Sequence, residues 1–301
     1  MFVVKYRKVF YTLSAILVVI SIASLFVWGL NLGIDFTGGS LLEVNFQAGR
    51  PTAEVIKADI TPLTLGEYSI RTTGDNGYIL RTKHLSEPER LSLQSALTQN
   101  GKIQMEEKRF DSIGPILGQE AIYKSFTAIA LVILCIVLFI TFAFRKVSEP
   151  VSSWKYGVIA IVALIHDVII PIGAVSLLGH FFGFEADTLF VTAVLVVLGF
   201  SVHDTIVVFD RVRENLKVKR ENNLKETFGE TVGKSINQTF IRSINTSFTV
   251  LLALLALYFI GGEATRHFSL ILIIGIIAGT YSSIFIGSPL LVTVEGWKSK
   301  K

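Results

Sequence analysis

The residues best able to do chemistry are three ionisable groups set in otherwise apolar sequence: Asp167, Asp204 and Arg242. An ionisable side chain at the centre of a bilayer costs at least about 2.5–3.5 kcal/mol, so such residues face the interior of a helix bundle and mark ion or proton paths. Asp204 follows Gly199-Phe200-Ser201-Val202-His203 and precedes the end of its apolar run at Asp210. At about 1.5 Å per helical residue it lies roughly 9 Å deep, beyond the reach of a short carboxylate to water. Ser201, Asp204, Thr205 and Val208 share a helix face, so the carboxylate sits in a small polar stripe. In the next run Gln238, Arg242, Asn245 and Thr249 recur at helical spacing and draw a second stripe. A guanidinium stays charged and seeks a carboxylate, and the one nearest by depth is Asp204. If they meet, a small rearrangement could tip the protonation of the carboxyl either way, which is what a proton relay requires. The same residues also suit an ion pair that pins two helices, or an arginine that meets lipid phosphate. Asp167, beside His166 and ahead of Pro171 and Gly173, has three readings: a second titrating site, a hydrogen bond that restrains the bundle, or packing against backbone freed by the proline. His203 neighbours Asp204 in sequence but points about 100° away on a helix, so it is not its partner.

Other chemistries find no support. The sequence has no Walker-type glycine loop, no metal-ligand cluster and no serine or cysteine nucleophile constellation, so no catalytic role, cofactor or metal is expected. Cys135, the single cysteine, lies in an apolar run and forms no internal disulfide. A net charge of +4 does not imply nucleic acid, because the basic residues sit next to apolar spans. Any energy input must come from the membrane, where moving one charge through 100 mV yields about 2.3 kcal/mol.

The elements that must position these groups are membrane helices. With 51% hydrophobic and 17% charged residues, the chain is too apolar for a soluble domain of its size. Runs of about 20 residues suffice to cross the bilayer, and they occur near 9–30, 124–144, 156–178, 187–209, 243–261 and 268–294. The first follows Lys5, Arg7 and Lys8 but is longer than a signal-peptide core and lacks a small-residue cleavage site, so a retained anchor is expected. Arg145, Lys146 and Lys155, the basic residues from Arg211 to Arg242, and Lys298, Lys300 and Lys301 place their segments and both termini in the cytoplasm. The expected location is the cytoplasmic (inner) membrane. The domains expected are 1–30 (tail and first helix), an extracytoplasmic α+β domain over 31–123, and a five-helix membrane domain over 124–301 with a cytoplasmic loop at 210–242.

In the outer segment, strands are expected at 41–46, 68–72, 78–82 and 103–108, with a hairpin at Gly74-Asp75-Asn76-Gly77. Helices are expected at 52–60 and from a Ser86/Glu89 capping box to about Gln99, stopped by Gly101. The order β-α-β-β-α-β is ferredoxin-like. Its flanks carry Gly33-Ile34-Asp35-Phe36-Thr37-Gly38-Gly39-Ser40 and Ile113-Gly114-Pro115-Ile116-Leu117-Gly118, either domain punctuation or a pair of hinges. In the last span Gly275, Gly279, Ser283 and Gly287 recur every four residues, a pattern for close helix packing. Leu224, Phe228, Val232, Ile236 and Phe240 lie on one side of the basic segment, which suggests an interfacial helix on anionic membrane lipids.

Several runs together resemble the SecD/SecF family of protein-export membrane proteins, within the RND superfamily. They are Gly33-Ile34-Asp35-Phe36-Thr37-Gly38-Gly39, Gly114-Pro115, His166-Asp167, Asp204-Thr205-Ile206-Val207-Val208 with Asp210-Arg211-Val212-Arg213-Glu214-Asn215, and Gly279-Thr280 with Ser282-Ser283-Ile284. The resemblance implies an RND-type half of six transmembrane helices and a protein that draws on the proton motive force to assist preprotein export. It implies as partners a SecD-like subunit, the SecYEG translocon and preprotein substrates. It implies that Asp204 and Arg242 are relay residues, completed by an aspartate of the SecD-like subunit. Where the family often shows a serine and threonine run after the arginine, Phe248 interrupts Asn245-Thr246-Ser247 before Thr249. Two other readings stand beside it. An RND-type small-molecule exporter would present larger porter domains than the roughly 90 residues available outside. A passive structural scaffold of the translocon would use the charged residues only to hold helices together.

Overall fold

The computed structural model describes residues 2–144 and 152–298. Arg145, Lys146, Lys300 and Lys301, used above to orient the chain, lie outside the described residues, as does the side chain of Lys298. The chain runs α1 (Phe2–Lys5), α2 (Arg7–Trp28), α3 (Ile34–Thr37), β1 (Gly39–Phe46), α4 (Ala53–Ile60), β2 (Ser69–Thr73), β3 (Gly77–Thr82), α5 (Glu87–Leu97), β4 (Met105–Ile113), α6 (Pro115–Ala143), α7 (Ser153–Phe182), α8 (Thr188–Glu221), α9 (Phe228–Ile260) and α10 (Glu263–Ser282). A π-helical turn, Ser283–Gly287, then leads into α11 (Ser288–Lys298). Two compact units result, Leu32–Phe126 and the remainder, Met1–Asn31 with Thr127–Lys301.

The smaller unit is a four-stranded antiparallel sheet in the order β2-β3-β1-β4, the split βαβ arrangement expected from the element order. Alternation along β1 and β3 turns Leu42, Val44, Phe46, Tyr78 and Leu80 to one face. Against that face α4 packs Ile56 and Ile60 and α5 packs Leu93 and Leu97, each pair one helical turn apart. The capping box forms: the Ser86 amide donates to Glu89 at 2.8 Å. The hairpin between β2 and β3 turns at Gly74, whose φ is +51°. The last strand continues past 108 to Ile113 because its residues remain paired with β1 as far as Gly39, across a register shift at Glu43/Val44.

The larger unit is a helix bundle. Among the described residues six helices are long and apolar enough to cross a membrane: Arg7–Trp28, Pro115–Ala143, Trp154–Phe182, Thr188–Glu221, Phe228–Ile260 and Thr265–Gly296, the last including the π turn. The six runs read from hydropathy fall on these helices, and the fold is that of a multi-pass helical membrane protein with a small sheet domain. Close approach depends on small residues. At Gly173 of α7 a Cβ would collide with Ser21 of α2, and Ser24 donates to the Gly173 carbonyl at 3.1 Å. A Cβ on Gly275 of α10 would collide with Val197 of α8, and one on Gly279 would stand 3.1 Å from the Ser201 Cβ.

The basic segment differs from the interfacial helix expected. From 210 to 221 it continues α8, and from Phe228 it already belongs to α9, so the two form a helical hairpin closed by a short turn. Phe228, Val232 and Ile236 are buried in the bundle core with Val212, while Leu224 and Phe240 are exposed. Their periodicity was that of a core face, which an interfacial face shares.

Candidate functional site: buried carboxylates in the helix bundle

Asp167 and Asp204 project from α7 and α8 towards the start of the π turn. Asp167 is completely buried and Asp204 is 4% exposed. The Asp167 carboxylate accepts from three donors: Nδ1 of His166 at 2.8 Å on Oδ1, and on Oδ2 the hydroxyls of Ser201 of α8 and of Ser282 of α10, the latter at 2.6 Å. Asp204 accepts at Oδ2 from the Ser283 hydroxyl at 2.9 Å. Among the described residues no lysine or arginine lies within ion-pair distance of either carboxylate. Two carboxyl groups are therefore held in the bundle mainly by neutral hydroxyls.

Asp204 shares the buried face of α8 with Ser201, Thr205 and Val208, and His203 points to the exposed side. Arg242 is not brought to Asp204. The stripe of Gln238, Arg242, Asn245 and Thr249 lies on the exposed face of α9, while Ser235, Thr239, Ser243 and Ser247 form its buried seam. Ser247 meets Thr280 of α10 at 2.6 Å. Helical spacing correctly grouped the four residues of the stripe but carried no information on which way the stripe turned.

Ser283 belongs to the small-residue stripe Gly275, Gly279, Ser283 and Gly287, and it adds to packing a hydrogen bond to the carboxylate. Ser282 as a donor to Asp167 was missed; its signal was a pair of consecutive serines in an apolar span. The π turn at Ser283–Gly287 had no sequence signature, although such turns gather at functional positions.

In the smaller unit Gly38 and Gly39 have φ of +73° and +121°, values that favour glycine. A Cβ on Gly38 would stand 2.9 Å from the Pro115 Cα, and one on Gly39 would stand 2.7 Å from the Thr82 carbonyl oxygen. Gly118 packs as tightly on the Phe36 carbonyl, whereas Gly114 borders open space. A groove of about 500 Å³ runs past Gly38, lined also by Ile34, Tyr68, Arg81 and Lys83. Burial pushes the Arg81 guanidinium down to about 10, Arg71 adds to the push, and the Asp35 carboxylate opposes it.

Comparison with known proteins follows the same lines. The family model described as protein export membrane protein SecD/SecF, C-terminal, matches residues 92–297, and the SecD/SecF GG motif matches residues 23–49. The chain is 42% identical to the protein translocase subunit SecF of Thermobaculum terrenum, over 99% of this chain and 94% of that one. It is 33% identical to the protein translocase subunit SecF of Synechocystis, over 99% and 95%. The crystal structure of SecDF, a translocon-associated membrane protein from Thermus thermophilus, superposes with a TM-score of 0.82 at 30% identity. That match covers 98% of this chain and 38% of the SecDF chain.

Proposed function

This chain belongs to the SecD/SecF family of protein-export membrane proteins, and on that premise we propose that it is a SecF subunit that couples the proton motive force to Sec-dependent protein translocation. It works without catalysis of its own, in the cytoplasmic membrane, with both termini in the cytoplasm and the sheet domain outside. Its partners are a SecD-like subunit, the SecYEG translocon and the preprotein in transit.

The observation that carries the reading is the setting of Asp204: a carboxyl buried in a membrane helix and bonded, among the described residues, to one neutral hydroxyl, that of Ser283. Such a group can gain or lose a proton with only a local change of bonding. Arg242 supports the reading in a different way. A guanidinium on the outward face of a membrane helix needs an anionic or hydrated neighbour. A SecD-like subunit packed on that face would supply it, including the aspartate that completes the relay. Asp167 extends the same polar seam into α7. The glycines at 38 and 39, with Asp35, Gly114 and Pro115, are then the joints through which the sheet domain is moved.

The test is gradient-stimulated preprotein translocation in vesicles that carry the chain with its SecD-like partner at matched expression. Asp204→Asn and Arg242→Met are each expected to abolish the stimulation while leaving membrane insertion intact. Unchanged stimulation in Asp204→Asn would make Asp204 a structural tie between α8 and the π turn, as a passive scaffold requires.

A further inference from the structure

His166 is 6% exposed, and its two ring nitrogens are used unequally. Nδ1 lies 2.8 Å from Asp167 Oδ1, while Nε2 is buried with no hydrogen-bond partner among the described residues. An orphaned buried polar atom calls for an explanation, and a role in proton exchange is one that its chemistry allows. The tautomer that fits is the neutral ring with its proton on Nδ1, because an ionised Asp167 carboxylate can only accept there, and Nε2 is then the bare acceptor nitrogen. The ring therefore presents a proton acceptor, backed by a carboxylate that stabilises the imidazolium once it forms.

We propose that His166 is a second proton-exchange residue of the membrane site, taking up a proton at Nε2, with Asp167 as its counter-charge. On uptake the His166–Asp167 pair passes from one negative charge to none, and the Nδ1 proton remains between the ring and Oδ1. Release reverses the step at Nε2. The pair is tied to Asp204 through neighbouring hydroxyls: Ser282 donates to Asp167 and Ser283 to Asp204. A change of charge at one carboxylate is therefore felt at the other across a single peptide unit, at the point where α10 passes into its π turn.

The surroundings leave few competitors for that proton. From α10, Tyr281 lies along the imidazole with ring centroids 6.3 Å apart, and its hydroxyl donates to the Phe10 carbonyl. From α8 come Ser201 and Asp204. Packed along α7, α2 buries only serines, and its Arg7 and Lys8 stand in its first turn. From Thr127 onwards α6 carries no ionisable group besides the exposed Cys135, and Glu295 of α11 lies about two turns beyond the π turn. Among the described residues Asp167 is thus the carboxylate in direct contact with His166.

The use of this proton rests on the gradient-coupled reading above; its existence does not. The experiment is ¹⁵N solid-state NMR of histidine-labelled chain, assembled with its SecD-like partner in lipid bilayers and titrated across the neutral range. The His166 signal is assigned by its loss in His166→Gln. Should that variant not accumulate, it is assigned as the histidine remaining when the other four are replaced. The expected result is an Nε2 resonance that converts from bare to protonated as pH falls. Asp167→Asn should lower the proton affinity by about tenfold or more, and Asp204→Asn should shift it in a smaller degree. An Nε2 that stays bare throughout, or a midpoint indifferent to Asp167→Asn, overturns the proposal. If His166 is silent while Asp204→Asn still abolishes gradient-stimulated translocation, this inference falls and the relay stands. If His166 titrates as described while Asp204→Asn translocates normally, the relay falls and the proton site stands.

Discussion

Ser282 and Ser283 are consecutive in the chain, yet their hydroxyls go to different carboxylates, the first to Asp167 on α7 and the second to Asp204 on α8. Adjacent residues of an α-helix point about 100° apart, so one helix placed between two others can serve both. The passage from α10 into the π turn falls at this pair. A shift of the turn would alter both bonds together.

Ser283→Ala removes the one side-chain donor to Asp204 among the described residues, whereas Ser282→Ala leaves Asp167 with His166 and Ser201. A hydrogen bond to a charged group is worth about 1.5–3 kcal/mol. The Ser283 variant is therefore expected to reduce gradient-stimulated translocation more than the Ser282 variant. Rates measured side by side in vesicles at matched expression decide this, and equal effects would contradict it.

The small-residue stripe makes a ranked prediction. A Cβ at 275 collides with Val197, at 279 it stands 3.1 Å from the Ser201 Cβ, and at 287 its closest neighbour is 3.7 Å away. Overpacking typically costs about 1–3 kcal/mol. Gly275→Ala should lower the melting temperature of the purified protein most, Gly279→Ala less, and Gly287→Ala least. Any other order in a thermal-shift series would show that α8 and α10 pack differently from what is described.

How much of this was legible in the sequence depends on what each signal encodes. Hydropathy located the spans because twenty apolar residues in a row have few other uses. Turn and cap residues such as Gly74, Ser86 and Glu89 gave the order of the sheet domain because each acts locally. The burial of Asp204 agrees with the polar face it shares with Ser201 and Thr205, but the facing of Arg242 was not legible, since helical spacing fixes which residues share a stripe and leaves its direction to tertiary packing. The same limit turned the buried face of Phe228, Val232 and Ile236 into a lipid-facing one on paper. The π turn at Ser283–Gly287 was invisible because none of the cap, turn or proline signals that mark local structure falls on it.

The sheet domain carries a pH signature at the start of α5. Glu89 bonds Lys83 and the Ser86 amide and hydroxyl, and these hold its carboxyl down at about 2 against an ordinary 4.5. A folded-state value below the unfolded one stabilises above the unfolded value, and that contribution is lost as pH falls from about 4.5 through about 2. Glu89→Gln should therefore increase amide exchange in Glu87–Leu97 relative to wild type at pH 7, and the difference should shrink as both are compared at progressively lower pH. A difference independent of pH would assign the effect to lost cap geometry alone.

The exposed polar stripe of α9 predicts where the partner sits. Arg242, Asn245 and Thr249 face outward from a helix long and apolar enough to span the membrane, and Ser243 and Ser247 face inward. Polar groups turned to lipid are costly, and a subunit packed on that face would remove the cost. The single native cysteine, Cys135 on α6, can be replaced by serine to give a silent background. On it Asn245→Cys and Thr249→Cys should cross-link efficiently to cysteines scanned along the membrane helices of the SecD-like subunit, and Ser247→Cys should not. Cross-linking that is uniform around α9 would indicate loose contact. Cross-linking absent from Asn245→Cys and Thr249→Cys but present from the faces of α2 or α6 would move the interface away from Arg242, and with it any completion of the relay by a partner aspartate.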